Sequence, residues 1–121
     1  MQIERRTMLA SALALAACGS GAAMYGLIGK MIAKQGQRDA LIGILLQGTG
    51  EMPGCRLYVV GADTSDANAI WITEVWDTEA QHDASLQLSA VQAAIAQARP
   101  LIEGFGERFT MTPAGGVGLD R

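Results

Sequence analysis

Apolar and polar residues change rhythm several times along this chain, and each rhythm predicts an element. Tyr25–Ala33, YGLIGKMIA, is apolar and suits an extended chain, so it predicts a first strand. Lys34-Gln35-Gly36-Gln37 breaks it. From Arg38 to Gln47 the period lengthens: Leu41, Ile42, Leu45 and Leu46 recur at helical spacing and predict a helix with one apolar stripe. Gly48, Gly50 and the Pro53-Gly54 pair stop that helix. Two alternating stretches follow, CRLYVV from Cys55 and AIWITEVWD from Ala69, joined by the polar loop DTSDAN, and they predict a second and third strand. Thr78 is placed to cap a helix through EAQHDASL, with Glu79 and Asp83 near its positive end. Leu88–Ala98 continues as a second helix or beyond a kink; Val91, Ile95 and Ala98 form its packing stripe, and Pro100 ends it. Phe105–Thr112, FGERFTMT, predicts a last strand before the Gly-rich tail.

The order is β-α-β-β-α-β. That is the split βαβ, ferredoxin-like α+β arrangement, with an antiparallel sheet and both helices on one face. The other face would be left bare. A face carrying residues such as Tyr58 or Trp76 is costly to leave in water, at ~25 cal/mol per Å² of apolar surface. A partner sheet is the simplest remedy, so the pattern predicts a homodimer.

Composition adds an outer limit and a leader. The 121 residues fit one domain, half of them hydrophobic, with a net charge of −3. No basic stripe interleaved with aromatics is present, which argues against nucleic acid as a partner. The first 23 residues read as an export signal and short linker, and residues 24–121 as the domain. MQIERRT is a charged head and MLASALALAA an apolar run of about ten residues, too short to cross a ~30 Å hydrocarbon core as a helix. Arg5-Arg6 followed by Thr7, Met8 and Leu9 resembles a twin-arginine export signal. Leu15-Ala16-Ala17-Cys18 resembles a bacterial lipobox, in which Cys18 would be lipidated and attach the protein to a membrane. The expected location is therefore the periplasm or the cell envelope. The alternative is that the upstream start is mis-chosen, with translation opening at Met24 and a cytoplasmic protein. Removing Arg5, Arg6 and Glu4 with the leader takes the net charge to −4. Cys55 then stands alone, unable to form an intrachain disulfide and far from any cluster of metal-ligand spacing; it reads as a small buried hydrophobe, and no metal site is expected.

Alternation sorts the candidate chemistry. Arg56, Tyr58 and Val60 would share one face of the second strand, and Cys55, Leu57 and Val59 the other. In the third strand Ile70, Ile72, Glu74 and Trp76 share a face opposite Trp71, Thr73 and Val75. The face with Glu74 and Trp76 is the more varied chemically, and it is assigned, with Tyr58 and Arg56, to a cavity. Glu74 inside an apolar strand is costly unless paired or hydrogen-bonded, so it is a candidate general base or half of an ion pair with Arg56. His82, the one histidine of the chain, is the second candidate base, because imidazole titrates near neutrality, or else a solvated surface residue. Trp71 and Trp76 are candidates for substrate contact or for core. Asn68 serves the turn. The Gly-rich tail lacks the strand-then-helix setting of a phosphate loop.

PGCRLYVV, AIWITEVWDTEAQHDASL and AVQAAIAQARPLI resemble the antibiotic biosynthesis monooxygenase domain, in particular its small quinol-monooxygenase-like members. The likeness covers nearly all of Met24–Leu119. Its specific parts are the Pro-Gly-Cys turn, the Tyr three residues later and the Glu-x-Trp strand end. The resemblance implies a dimeric α/β barrel and oxygenation of a small phenol, quinol or anthrone with O₂, without metal, flavin or other cofactor. Glu74 or His82 would then be the catalytic base, and Tyr58, Trp76, Arg56 and Trp71 the substrate contacts. The related haem-degrading branch uses a Trp and a His on the helix after the third strand; Ala84–Ala98 holds neither, which disfavours haem degradation. The rival expectation is a non-catalytic barrel that binds a small hydrophobic ligand or acts in stress response.

Overall fold

The computed structural model describes residues 23–119; the leader, the lipobox and Cys18 lie outside the described residues. The spine of the fold is β1 (Tyr25–Ala33), followed by α1 (Arg38–Gly48), β2 (Cys55–Ala62) and β3 (Ala69–Trp76). Two short helices come next, α2 (Glu79–Ser85) and α3 (Ser89–Ala98), then a 3₁₀ turn at Arg99–Leu101 and β4 (Ile102–Met111). All pairings are antiparallel and the sheet order is β2-β3-β1-β4, the ferredoxin-like arrangement that the pattern predicts.

The second helical segment is two helices because the chain turns at Leu86–Leu88. Leu86 N–H donates to Asp83 and Leu88 N–H to Ser85, and Leu88 is extended at ψ 137° before α3 begins. The last strand starts at Ile102, three residues ahead of expectation. Pro100 ends the helix within a single 3₁₀ turn. Lys34 N–H then donates to the Leu101 carbonyl at 2.8 Å, and Ile102 enters register with Ala33.

The helices cover one sheet face. Leu41 and Leu45 of α1 meet Ile70, Ile72 and Ala33 of the sheet and Ala98 of α3 in the main core. Met52, Trp76 and Val91 form a second cluster beside it. Trp76 is only 1% exposed. Burying a tryptophan removes on the order of 200 Å² from water, about 5 kcal/mol as an upper bound. Two members of the predicted stripes turn outward instead: Leu46 and Ile95 are exposed, and Ala94 takes the inner place in α3. α1 and α3 meet there so closely that a Cβ on Gly48 would lie 2.4 Å from that of Ala94.

A bulge in β2 corrects the expected faces. Cys55 pairs with Trp76 and Leu57 with Val75, so Arg56 is an extra residue opposite no partner. Cys55 therefore packs inward beside Tyr58 and Met52, while Leu57 and Val59 face outward. The expectation that a face carrying Tyr58 or Trp76 is the bare one is also corrected, since both lie under the helices. The outer face instead carries Val59, Trp71, Thr73, Phe109 and Met111, of which Val59, Phe109 and Met111 are about half exposed.

The β2–β3 connection is held from outside. Arg38, at the start of α1, donates from its guanidinium to the main-chain carbonyls of Asp63, Asp66 and Ala69 at 3.0–3.3 Å. Among the described residues no helix is long and apolar enough to cross a membrane.

Candidate active site

The Pro53-Gly54 turn sets the geometry. Cys55 N–H donates to Met52, and Gly54 takes φ +86°, the third position of a type II turn. The Gly54 carbonyl then accepts from Asp77 N–H at 2.8 Å, tying the start of β2 to the end of β3. Thr78 caps α2 as its position predicts: its Oγ1 accepts from Gln81 N–H at 3.1 Å. One turn into α2, His82 is aimed back over the end of β3. Its ring lies edge-on to Trp76, with centroids 5.6 Å apart, and tilts against Tyr25 at 5.3 Å.

These elements enclose a cavity of about 340 Å³ between the sheet and the helices. Its walls are nearly all apolar, with Met31, Ile72, Val91 and Phe105 among them; Glu74 is the one carboxylate on its lining. Glu74 Oε1 accepts from Trp76 Nε1–H at 2.8 Å and stands 4.0 Å from His82 Nε2. The Glu74 and His82 side chains are 14% and 13% exposed. The other imidazole nitrogen, Nδ1, meets Asp83 Oδ1 at 3.1 Å. Tyr58 lies directly across from Glu74 in the β2–β3 register. Burial above all, and then the Glu74 and Cys55 charges, push the Tyr58 phenol well above its ordinary range, so it stays protonated. Its hydroxyl makes no hydrogen bond to another described residue. Burial likewise raises the Cys55 thiol.

Glu74, Trp76, Tyr58 and His82 thus converge on one cavity. Arg56 and Trp71 do not. The bulge swings Arg56 to the surface, where it pairs with Asp77 and donates to the Leu119 carbonyl rather than to Glu74. Trp71 is on the outer face; its Nε1–H donates to Asp63 Oδ2 at 2.8 Å, and the Lys30 ammonium stands over its ring. That bond and the backbone N–H groups of Ser65 and Asp66 serve the Asp63 carboxylate; led by the two backbone bonds, they bring its pKa down to about 2. The helix after β3 begins at Glu79, as the Thr78 cap predicts, and carries His82. With His82 on that helix, the expectation against haem degradation rests on the tryptophan alone, which neither α2 nor α3 carries.

Tyr25 and Phe105 were not marked by the pattern. Tyr25 pairs with Trp76, and Phe105 with Met31 across a shifted register, so both share the Glu74 face. Alternation in β1 could have found Tyr25 once its pairing with β3 was known. The β4 shift hides Phe105. Among the described residues no three His, Cys, Asp or Glu side chains are grouped to hold a metal ion.

A cavity with one carboxylate, one imidazole and a protonated phenol is suited to taking a proton from a bound hydroxyl and holding the anion that results. The sequence model of the antibiotic biosynthesis monooxygenase family matches residues 24–97. A search of curated proteins gave no significant match. Among solved structures, a candidate antibiotic biosynthesis monooxygenase from Chloroflexus aurantiacus is 59% identical, with a TM-score of 0.75 over 77% of this chain and 95% of that one. A second candidate monooxygenase, from Caulobacter crescentus, shares the fold at 13% identity and a TM-score of 0.70, over 78% of this chain and 92% of its own. A third, from Nitrosomonas europaea, does so at 14% identity and a TM-score of 0.65, over 79% and 92%. The chain belongs to the antibiotic biosynthesis monooxygenase family.

Proposed function

We propose that the protein is a monooxygenase that oxidises a quinol- or phenol-like aromatic with O₂ and no cofactor. The observation that carries this reading is Glu74: a single carboxylate on an apolar wall, oriented by Trp76 Nε1–H, beside His82 and opposite Tyr58. The substrate ring lies between the apolar walls and presents its hydroxyl to Glu74. Glu74 takes the proton, and Tyr58, held neutral, donates a hydrogen bond to the phenolate. An electron-rich phenolate gives up an electron to O₂ far more readily than the phenol does. Recombination forms a carbon–oxygen bond, and loss of water leaves the hydroxyquinone. One oxygen atom enters the product, the other leaves as water, and all four electrons come from the substrate. The apolar lining keeps bulk water from competing for the anion.

The protein works as a homodimer whose two outer sheet faces meet, which would cover Val59, Phe109 and Met111. Export and attachment through Cys18 remain part of this reading, on the leader sequence alone.

The test is O₂ uptake with a panel of quinols and anthrones. Glu74→Gln keeps an acceptor for Trp76 Nε1–H, so the fold should persist while turnover falls at least ~100-fold. Unchanged O₂ uptake in that variant and in His82→Ala would sink the reading.

A further inference from the structure

The cavity has a neighbour. A groove of about 270 Å³ runs over β1 and β4 and shares Met31, Ile72, Glu74 and Phe105 with it. The groove continues past Phe105 to Arg108, where β4 carries its bulge opposite Lys30. Arg108 pairs with Gly29, and Glu74 with Leu27, so the two charged residues stand on the same sheet face. Strand spacing puts their Cα atoms about 12 Å apart. Both side chains are long and line the same groove, leaving between them a span that one ring or a pair of fused rings can bridge.

The charges in the groove are unequally committed. Lys30 is 3.9 Å from Glu107 and stands over the Trp71 ring, so these two neutralise each other at the rim. Arg108 has no carboxylate partner among the described residues; its Nη2 donates only to the Tyr25 hydroxyl, at 3.5 Å. That weak bond leans the guanidinium over Tyr25, whose ring packs on His82. A guanidinium with most of its donors open, at the end of an apolar trough, matches a carboxylate in charge and shape.

The geometry points to an aromatic carboxylate as the ligand class, with its hydroxyl held at Glu74 and Tyr58 and its carboxylate held by Arg108 at the far end of the groove. The inference rests on the reading of the cavity as an aromatic site. It adds a specificity residue, Arg108, that touches the ligand remote from the reacting hydroxyl. Apolar walls alone would favour the neutral aromatic, because an unpaired carboxylate is costly to take out of water. Arg108 makes the acid the preferred one.

The test uses the chain as it stands, under anaerobic conditions so that binding is read without turnover. 6-Hydroxy-2-naphthoate and 2-naphthol are titrated against tryptophan fluorescence at low salt and near neutral pH. The naphthoate should bind about tenfold more tightly. Arg108→Gln should erase that preference while leaving 2-naphthol affinity unchanged, which also shows that the variant is folded. Arg99→Gln, which removes a positive charge from the turn after α3, should keep it. Equal binding of the two probes to the wild type, or a preference that survives Arg108→Gln, overturns the assignment of Arg108 and leaves the cavity reading intact. Failure of both probes to bind overturns the two together. Absence of O₂ uptake with quinols would count against the oxygenase reading alone.

Discussion

Four side chains that meet in the cavity stand out in the bare sequence, and each does so for a physical reason. Glu74 is a charge inside an apolar strand, Trp76 and Tyr58 are large aromatics in alternating positions, and His82 is unique in the chain. Arg56 and Trp71 were equally visible, yet one extra residue in β2 and the parity of β3 turned them away. Parity is legible only when strands are regular, and nothing in CRLYVV marks Arg56 as the bulge. Tyr58 offers a pH test with a definite sign. Its phenol is raised from an ordinary 10.0, so the folded protein keeps a proton that the unfolded chain loses. Stability from this group is complete below pH 10 and declines as the pH climbs above it. The melting temperature should therefore fall between about pH 10 and 11.5 in the wild type. In Tyr58→Phe that component of the fall should vanish. Thermal melts at stepped pH check it, and identical alkaline slopes for the two proteins would count against the buried phenol.

At the scale of the element, turn chemistry was the most readable signal. Pro53-Gly54 and Thr78 were placed from residue identity alone, and both perform the predicted task. The split of the helical run after β3 was readable only as a choice between a second helix and a kink, because the break at Leu86–Leu88 contains neither Gly nor Pro. It depends on hydrogen bonds back to Asp83 and Ser85 that no local signal announces. Gly54 is the element whose loss should matter most. A side chain there meets a left-handed backbone and the Gln81 carboxamide, 2.4 Å from an added Cβ. Gly54→Ala should cost about 1–2 kcal/mol. For a domain of this size that is a fall in melting temperature of roughly 4–15 °C. Since the turn fixes where α2 starts relative to β2, ligand affinity should weaken in the same variant, read by the same fluorescence titration.

For the whole molecule, the fold class and strand order follow from the alternation of periods, because each period permits one element and the order of elements permits few sheets. The side on which the site lies did not follow. The bare face and the cavity were expected to involve the same aromatics, whereas the cavity lies under the helices and the outer face is built from Val59, Trp71, Phe109 and Met111. That outer face is what the proposed dimer would bury. Val59→Asp combined with Phe109→Asp places two charges where both residues are already half exposed in the single chain. The fold should survive by circular dichroism, and light scattering should report half the wild-type mass. A wild type that is monomeric at micromolar concentration would remove the dimer.

The grip of Arg38 on the β2–β3 loop has a consequence for how that loop can vary. All three acceptors are main-chain carbonyls, of Asp63, Asp66 and Ala69, so the contact reads the path of the chain and not its side chains. Thr64, Ser65 and Ala67 could be exchanged widely while the loop keeps its shape, and an insertion of one residue would be tolerated far less than several substitutions. In this corner of the molecule the length of the loop, with the Asp63 and Asp66 carboxylates that hold its own N–H groups, is constrained more tightly than the identities of Thr64, Ser65 and Ala67.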